Sequence, residues 1–254
     1  MATFVETYGK DWLTGNYLPG IPLTLPSGAT LPDALFTAAI RTALATVESR
    51  FGLVVDAVTV TGEKHDDARL QYGPPNYAPF QLQKRPVRTL TALQGQFGNN
   101  AGVDYPIQWA MKCGPDAPAP DIMGQAELIP TPDAVATLSS YAALGLGLFG
   151  ATPCWWRWSY TAGWADAADV PVEIVTMVGH AAVVDLAPRL ALQLAPLGVT
   201  SESGSQDGLS TSVSYNANGT NHVLSALAES SKAQLDALFT QFAGRYRRPM
   251  VAIL

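Results

Sequence analysis

The segment RWSYTAGWADAADVP, residues 157–171, holds the end of a strand and the start of a helix, and the rest of the fold is arranged around it. Aromatic residues at Trp156, Trp158 and Tyr160 alternate with polar residues. This alternation is typical of a β-strand that buries one face. The sequence therefore predicts a half-buried strand that ends at Gly163.

A long apolar helix is predicted after this strand. Pro171 suits the first turn, because the N–H group that proline lacks would have no helical partner there. From Pro171 to about Pro196 the residues are apolar on nearly every face. A helix of this kind needs cover on all sides, so we expect it to be buried by neighbouring elements or by neighbouring subunits.

Two more helices are predicted, one towards each end of the chain. The first covers about residues 30–51, with Thr30 as its cap and an apolar stripe at helical spacing. The second covers about residues 221–247 and ends in basic residues, which suit the negative end of a helix dipole. With the apolar helix, about 171–196, they predict an α+β protein whose core is a bundle of three main helices.

The remaining segments are predicted to be β-rich or extended. Residues 53–155 form a β-rich insert, in which 62–67 is a polar turn and 97–125 is loop-like. Residues 1–29 form an extended N-terminal arm, because their prolines disfavour regular structure. No domain boundary is visible, and residues 1–254 are predicted to form a single domain.

The composition limits the classes of function. Charged residues make up only 14% of the 254 residues, against about a quarter in ordinary proteins, which indicates that partners cover part of the surface. The net charge of −6 argues against binding to nucleic-acid phosphates. Charges and prolines interrupt the longest apolar segment, so we expect a soluble chain without membrane contact. Cys113 and Cys154 are too few and too far apart for a disulfide framework or a zinc site.

The residues that could carry catalysis do not form a motif. His65, Asp66 and Asp67 are adjacent in a predicted polar turn, where such residues are ordinary. His180 lies in the apolar helix, where a core or interface histidine is the simpler interpretation. The serines of residues 201–214 contain no G-x-S-x-G sequence, and no phosphate-binding loop is present. We therefore predict no catalytic residue, no metal site and no cofactor.

Two features of the sequence are candidates for functional surfaces. The sequence SESGSQDGLSTSVSY, residues 201–215, is rich in short hydroxyl side chains. We predict a turn-rich loop over 198–208 and a short strand over 209–215, which form either ordinary surface or functional surface. The other feature is the pair of apolar terminal segments, residues 1–29 and 249–254, which either fold back on their own domain or dock on partner chains.

The order of these elements resembles the head–tail connector (adaptor) proteins of tailed bacteriophages. The resemblance rests on YTAG at 160–163, VP at 170–171 before the apolar helix, and DGLS at 207–210 before a final helix with a basic end. A KRPV segment at 84–87 gives weaker support. The similarity covers roughly residues 156–247.

This resemblance implies a virion structural protein without catalytic activity. Such adaptors form a ring, commonly of twelve subunits, beneath the portal, where they extend the DNA channel and provide the platform for the next neck or tail protein. The chain is therefore expected to be a homo-oligomer in the virion neck, assembled in the host cytoplasm. Its expected partners are the portal protein, a downstream neck or tail protein and genomic DNA, which passes without sequence-specific binding.

The resemblance also implies roles for three sets of residues. Docking on the portal is expected of Arg245, Arg247, Arg248, Met250, Val251, Ile253 and Leu254. Contact with the channel or the next ring is expected of Gln206, Asp207, Ser210 and Ser212. Contact between subunits is expected of Ile174, Met177, Val178 and Ala181 in the apolar helix.

Two other functions stay open at this point. The chain is compatible with a different neck or tail-completion protein of the virion. It is also compatible with a carbohydrate-binding or hydrolytic module built on the β-rich insert, in which Trp155 or Trp156 provides an exposed aromatic platform.

Overall fold

The fold of the chain is α+β, as predicted. A computed structural model describes residues 2–21, 23–25, 28–66, 80–96, 102–112, 121–128, 155–194, 201–206, 209–214 and 218–246. The chain divides into two compact units. We call Glu48–Val170 with Gly244–Leu254 the β unit, and Ala2–Val47 with Pro171–Ala243 the helical unit. The sequence predicted a single domain over residues 1–254. That assignment stays a prediction, because two compact units can belong to one domain.

Seven strands form two antiparallel sheets in the described part of the β unit. They are β1 (Val58–Asp66), β2 (Phe80–Gln81), β3 (Val87–Gln96), β4 (Val103–Tyr105), β5 (Ala110–Lys112), β6 (Gln125–Leu128) and β7 (Trp155–Ala162). The larger sheet has the order β1-β7-β3-β4, and the smaller has the order β2-β6-β5. The predicted aromatic strand is β7, and it lies at the centre of the larger sheet.

Both sheets contribute to one aromatic core. Alternate residues of β7 are buried, whereas Arg157 between them is exposed, so the period-two prediction is confirmed. The ring centroid of Phe80 in β2 lies 5.0 Å from that of Trp158, and the Tyr105 ring of β4 lies 4.9 Å from Trp156. Aromatic pairs at these separations add to the stabilisation from burial alone.

The described α-helices lie mainly in the helical unit, together with a two-stranded ribbon. Its elements are α1 (Phe4–Thr7), α2 (Lys10–Tyr17), α3 (Asp33–Phe51), α4 (Val172–Leu194), β8 (Ser201–Gln206), β9 (Leu209–Ser214) and α5 (Asn218–Tyr246). The last residues of α3 and α5 belong to the β unit. The three long helices begin and end within a few residues of the predicted boundaries.

Helix α4 is buried within its own chain. Its buried residues are Ile174, Val175, Met177, Val178, Gly179, Ala181, Ala182, Val183, Leu186, Ala187 and Leu190. Helix α2 supplies part of this cover, because Tyr17 lies over Gly179, where an added Cβ atom would come within 2.1 Å of Tyr17 Cζ. By length and composition alone α4 could cross a membrane, but 61% of the relevant window is buried inside the chain, which is usual for a core helix.

The prediction of an extended N-terminal arm is wrong for residues 4–17. Helix α1 begins after Thr3, whose backbone N–H donates to Glu6 Oε2 at 2.8 Å. This bond is part of a capping box, and the T-x-x-E spacing could have revealed it. Helix α2 is held by Lys10, whose Nζ donates to Asp33 Oδ1 at 2.8 Å.

Three segments predicted to be turns or loops contain strands. The supposed turn at 62–67 lies largely in β1, which continues to Asp66 through a register shift between Val60 and Glu63. The loop-like region 97–125 contains β4 and β5, and the loop at 198–208 contains β8. In each case a partner strand supplies hydrogen bonds that local propensity does not show.

Candidate functional site

The C-terminal end of α5 is anchored in the interior of the β unit. Tyr246, the last residue of the helix, is fully buried. Its ring centroid lies 5.5 Å from that of Phe51, and its backbone carbonyl accepts a hydrogen bond of 2.6 Å from Arg85 Nη2. The position from which residue 247 continues is therefore fixed by packing and by a charge-assisted hydrogen bond.

Arg85 holds this helix end through backbone carbonyls. It is fully buried, and its Nε donates to Gly52 O at 3.1 Å and its Nη1 to Ile122 O at 3.2 Å. Its Nη2 donates to Phe51 O as well as to Tyr246 O. Phe51 and Tyr246 are the last residues of α3 and α5, so the cation lies against the negative ends of two helix dipoles.

Residues 121–124, which directly precede β6, shape the surroundings of Arg85. The Asp121 carboxylate accepts hydrogen bonds from the backbone N–H groups of Met123 and Gln125, each at 3.0 Å. Gly124 has φ of +66°, and an added Cβ atom there would come within 2.9 Å of Arg85 Cβ. Glycine suits this backbone conformation and leaves room for the arginine.

The segment before Arg85 is fixed by a buried carboxylate. Glu63 Oε1 accepts a hydrogen bond of 2.8 Å from the Gln83 N–H, and Tyr160 Oη accepts one of 3.0 Å from the Lys84 N–H. Tyr160 in turn donates to Glu63 Oε2, and His65 Nε2 lies 2.6 Å from Glu63 Oε1. Burial alone would raise the pKa of Glu63, but the bonds from His65, Tyr160 and Gln83 together hold its pKa below the usual value. The carboxylate is thus suited to holding backbone in place as an anion.

The β8–β9 ribbon carries the residues expected to contact the channel or the next ring. Ser201 pairs with Ser214, Ser203 with Ser212 and Ser205 with Ser210, so six serines occupy the register positions of one face. Gln206, Ser210 and Ser212 are in the ribbon, whereas Asp207 lies outside the described residues.

Of the residues expected to dock on the portal, only Arg245 lies in the described part of the chain. It is exposed, and its guanidinium carbon is 5.4 Å from the centroid of the Tyr246 ring. Arg247, Arg248, Met250, Val251, Ile253 and Leu254 lie outside the described residues.

The residues expected to contact other subunits are covered by their own chain. Ile174, Met177 and Val178 have no exposed surface, and Ala181 is 7% exposed. The all-round apolar character of α4 is therefore explained within one chain. Its exposed apolar residues are Val172, 75% exposed, and Leu192, 79% exposed.

The tryptophans considered as a sugar platform are not available as one. Trp156 is fully buried, and the face of Trp155 is covered by Lys64, whose Nζ is 3.6 Å from the ring centroid. His65, which was predicted to be an ordinary turn residue, contacts the Glu63 carboxylate. In the described part of the chain, no three His, Cys, Asp or Glu residues are grouped to hold a metal ion.

Sequence reasoning did not identify Arg85 or Glu63. Arg85 belongs to the KRPV segment at 84–87, where a basic residue stands beside apolar strand residues. Nothing in this segment marks Arg85 as buried, because charged side chains are almost never fully buried unless they are paired, and the carbonyls that it binds are distant in sequence. Glu63 faces inward because of the register shift in β1, which sequence periodicity does not show.

The chain is similar in structure to chains of gene transfer agent (GTA) particles. One is in the virion of a native GTA particle, with a TM-score of 0.39, 17% identity, and coverage of 93% of this chain and 96% of that chain. Another is in the neck of an empty GTA particle, with a TM-score of 0.36, 21% identity, and coverage of 63% and 70%. A third is in the neck of a native particle, with a TM-score of 0.34, 17% identity, and coverage of 69% and 76%. No family model and no curated protein matches the chain.

Proposed function

We propose that this chain is a structural protein of a phage-type neck, acting as a head-to-tail adaptor. In this role it joins with copies of itself into a ring beneath the portal, extends the DNA channel and carries the next neck or tail protein. The observation that carries the proposal is the anchored end of α5. Tyr246 is buried and bonded to Arg85, and the apolar segment of residues 250–254 follows within a few residues of sequence.

Docking on the portal is assigned to this C-terminal segment. Three arginines at 245, 247 and 248 precede the apolar residues. Arginine binds carboxylates with two parallel hydrogen bonds, and apolar side chains such as Ile253 and Leu254 are suited to a groove on the partner. A fixed origin for the segment reduces the conformational freedom that is lost on binding.

The β8–β9 ribbon is assigned to contact with the channel or the next ring. Its register places six serines on one face, and the sequence from 201 to 214 contains only two charged residues, Glu202 and Asp207, both acidic. Neutral hydroxyls and acidic residues do not attract phosphates, so they suit a passage through which DNA moves without binding.

The mass of the assembled protein tests the adaptor role. Native mass spectrometry of the purified chain, alone and with its portal protein, is expected to show a closed ring in the complex. Head-to-tail contacts between copies close into a ring when their rotation permits it. A chain that stays monomeric and fails to bind the portal under any condition would rule out the adaptor role.

The tail is tested by deletion and by charge changes. Removing residues 249–254 is expected to weaken portal binding by at least about tenfold, the effect of losing ~1.4 kcal/mol from apolar anchors, while ring formation stays intact. Arg245→Gln is expected to weaken binding more at low salt than at high salt. Lys232→Gln is the matched control, because it removes one exposed positive charge from the same helix. Normal portal binding by the deletion variant would remove the docking role of the tail.

The alternative of another neck or tail-completion protein makes a different prediction in the same experiment. Such a protein would bind a neck or tail component other than the portal. The carbohydrate-binding alternative is not favoured, because Trp156 is buried and Trp155 is covered by Lys64.

A further inference from the structure

We infer that Arg85 is the positioning residue of the C-terminal tail: its guanidinium fixes the end of α5 and thereby sets where the tail leaves the β unit. The functional half of this inference rests on the proposed docking of the tail. The structural half, that Arg85 holds the last turn of α5, stands without it.

The chemistry of the guanidinium explains why one side chain can hold this site. Arginine carries five N–H donors in a rigid planar fork and stays protonated. Its Nε, Nη1 and Nη2 are all engaged, and they reach Gly52 O, Ile122 O, Phe51 O and Tyr246 O. Lysine has a similar charge, but its three donors share one nitrogen, so it cannot reach four carbonyls that are spread around the three nitrogens of a guanidinium.

The last turn of a helix normally lacks partners for its carbonyl groups. Those groups hydrogen-bond to water, and the turn frays. In α5 the carbonyl of the final residue instead binds a buried cation, and the Tyr246 side chain is packed in the interior. The end of α5 is therefore expected to be as firmly ordered as its middle.

The position of Arg85 is itself fixed on both sides. The N–H groups of Gln83 and Lys84 are held by Glu63 and Tyr160. After Arg85, the Val87 N–H donates to Asp121 O at 2.9 Å, and Asp121 N–H donates back to Val87 O at 2.7 Å. The guanidinium thus projects from a backbone that is braced before and behind it, which is the condition for precise positioning.

Hydrogen exchange measured by mass spectrometry tests the structural half. In the unchanged protein, peptides covering 239–246 are expected to exchange as slowly as peptides from 228–238. In Arg85→Lys, amides of the last turn of α5 are expected to exchange at least about tenfold faster, as for the loss of one charge-assisted hydrogen bond, while β7 keeps its protection. Arg157→Lys is the control, because Arg157 is exposed and contacts Gln96 at 2.9 Å.

Each outcome decides the structural half. Faster exchange confined to the ends of α5 and α3 in Arg85→Lys supports the inference, and unchanged exchange at the end of α5 overturns it. If Arg85→Lys does not fold, the unchanged protein decides: slow exchange over 239–246 supports the anchor, and a frayed last turn overturns it.

Portal binding tests the functional half with a double-mutant cycle. Arg85→Lys is expected to weaken portal binding in the full chain and to add no further loss when residues 249–254 are deleted, because both changes act through the tail. Equal losses in both backgrounds would show that Arg85 does not act through the tail. A deletion that leaves portal binding unchanged would refute tail docking, while the exchange experiment would still decide whether Arg85 anchors α5.

Discussion

Helices α4 and α5 are both long, but their side chains meet different surroundings. In α4 the buried residues include the consecutive runs Met177–Gly179 and Ala181–Val183, so no single stripe contains them. Among the described side chains of α5, from residue 223 onward, the buried residues Leu224, Ser231, Leu235 and Tyr246 are spaced by seven, four and eleven positions and lie on one stripe. Helix α4 is therefore a core helix, whereas α5 is an amphipathic surface helix over most of its length.

This difference shows where an assembly surface should be sought. The apolar character of α4 predicted burial by neighbouring elements or by neighbouring subunits, and the residues expected to contact other subunits are covered by the same chain. Apolar composition predicts that a helix is buried, and it does not predict what buries it. The surfaces proposed for partners are at the end of α5, where Arg245 is exposed, and in the β8–β9 ribbon, whose sequence is less apolar than that of α4. Five substitutions test the contrast between the helices, from the largest expected effect to the smallest.

The largest effect is expected from Ala182→Lys in α4. Ala182 is fully buried, and an unpaired charge at such a position costs about 3–5 kcal/mol of unfolding free energy. Urea unfolding followed by circular dichroism is expected to show loss of most of the stability or no folded protein. Near wild-type stability would mean that α4 is not covered by its own chain.

A smaller effect is expected from the same glycine-to-alanine change in the two helices. Gly179→Ala in α4 places a methyl group within 2.1 Å of Tyr17 Cζ, so the ring must move and give up its packing. We expect a loss of about 1–3 kcal/mol in unfolding free energy. Combining it with Tyr17→Ala is expected to cost less than the sum of the two single changes.

In α5 the same change is expected to have the opposite sign. Gly244 has nothing within 4 Å of an added Cβ atom, and alanine in a helix gains about 0.5–1 kcal/mol over glycine. The midpoint of urea unfolding should therefore rise for Gly244→Ala. If the midpoint falls for both Gly179→Ala and Gly244→Ala, the conclusion that α4 is covered at Gly179 and α5 is open at Gly244 is contradicted.

We expect His180 of α4 to contribute to the pH dependence of stability. Burial lowers the pKa of His180 below its ordinary value of 6.5. The unfolded chain then binds the proton more readily, so stability is present above pH 6.5 and is lost as the pH falls from 6.5 through the pKa of the folded state. We expect the midpoint of urea unfolding to fall as the pH is lowered from 6.5 to about 5, a range in which most carboxyl groups stay ionised. His180→Gln is expected to flatten that fall, and an unchanged slope would contradict the role of His180.

The smallest effect is expected from Ala233→Lys in α5, the counterpart of Ala182→Lys. Ala233 is exposed, and Glu229 lies four residues before it. A glutamate followed by a lysine at this spacing stabilises a helix by about 0.2–0.5 kcal/mol. Thermal unfolding is expected to shift slightly upward. A large loss of stability in the isolated chain would show that this face of α5 is packed against something.

Much of the fold could be predicted because its signals are local. The period of α3 and α5, the proline at the start of α4 and the alternation in β7 each lie within one element. Strand β9 was predicted, over 209–215, but β8 was missed because glycine is depleted in strands, although the Asp-Gly pair between the two strands is a known hairpin sequence. The N-terminal helices were not predicted, because Pro19, Pro22 and Pro26 disfavour regular structure over the same segment and the T-x-x-E cap is a weaker signal.

The candidate site was predictable only in part, since its main contacts join distant residues. Basic residues at the end of α5 are visible in sequence, and so is the apolar segment after them. The anchor is not visible, because Arg85 acts through backbone carbonyls that every residue possesses. A carbonyl has no sequence signature, so a buried arginine that binds four of them is found only when the helix ends are brought together.

The bond between Arg85 and Tyr246 also affects when, during synthesis on the ribosome, the protein can finish folding. These residues are 161 positions apart in the chain, so Arg85 is synthesised long before its partner. While the ribosome is still translating α5, the strands around Arg85 can pair, but the guanidinium has no Tyr246 carbonyl to bind. The β unit therefore reaches its final form only when the last helix has emerged, and a nascent chain cut short before Tyr246 would lack the bond that fixes the tail.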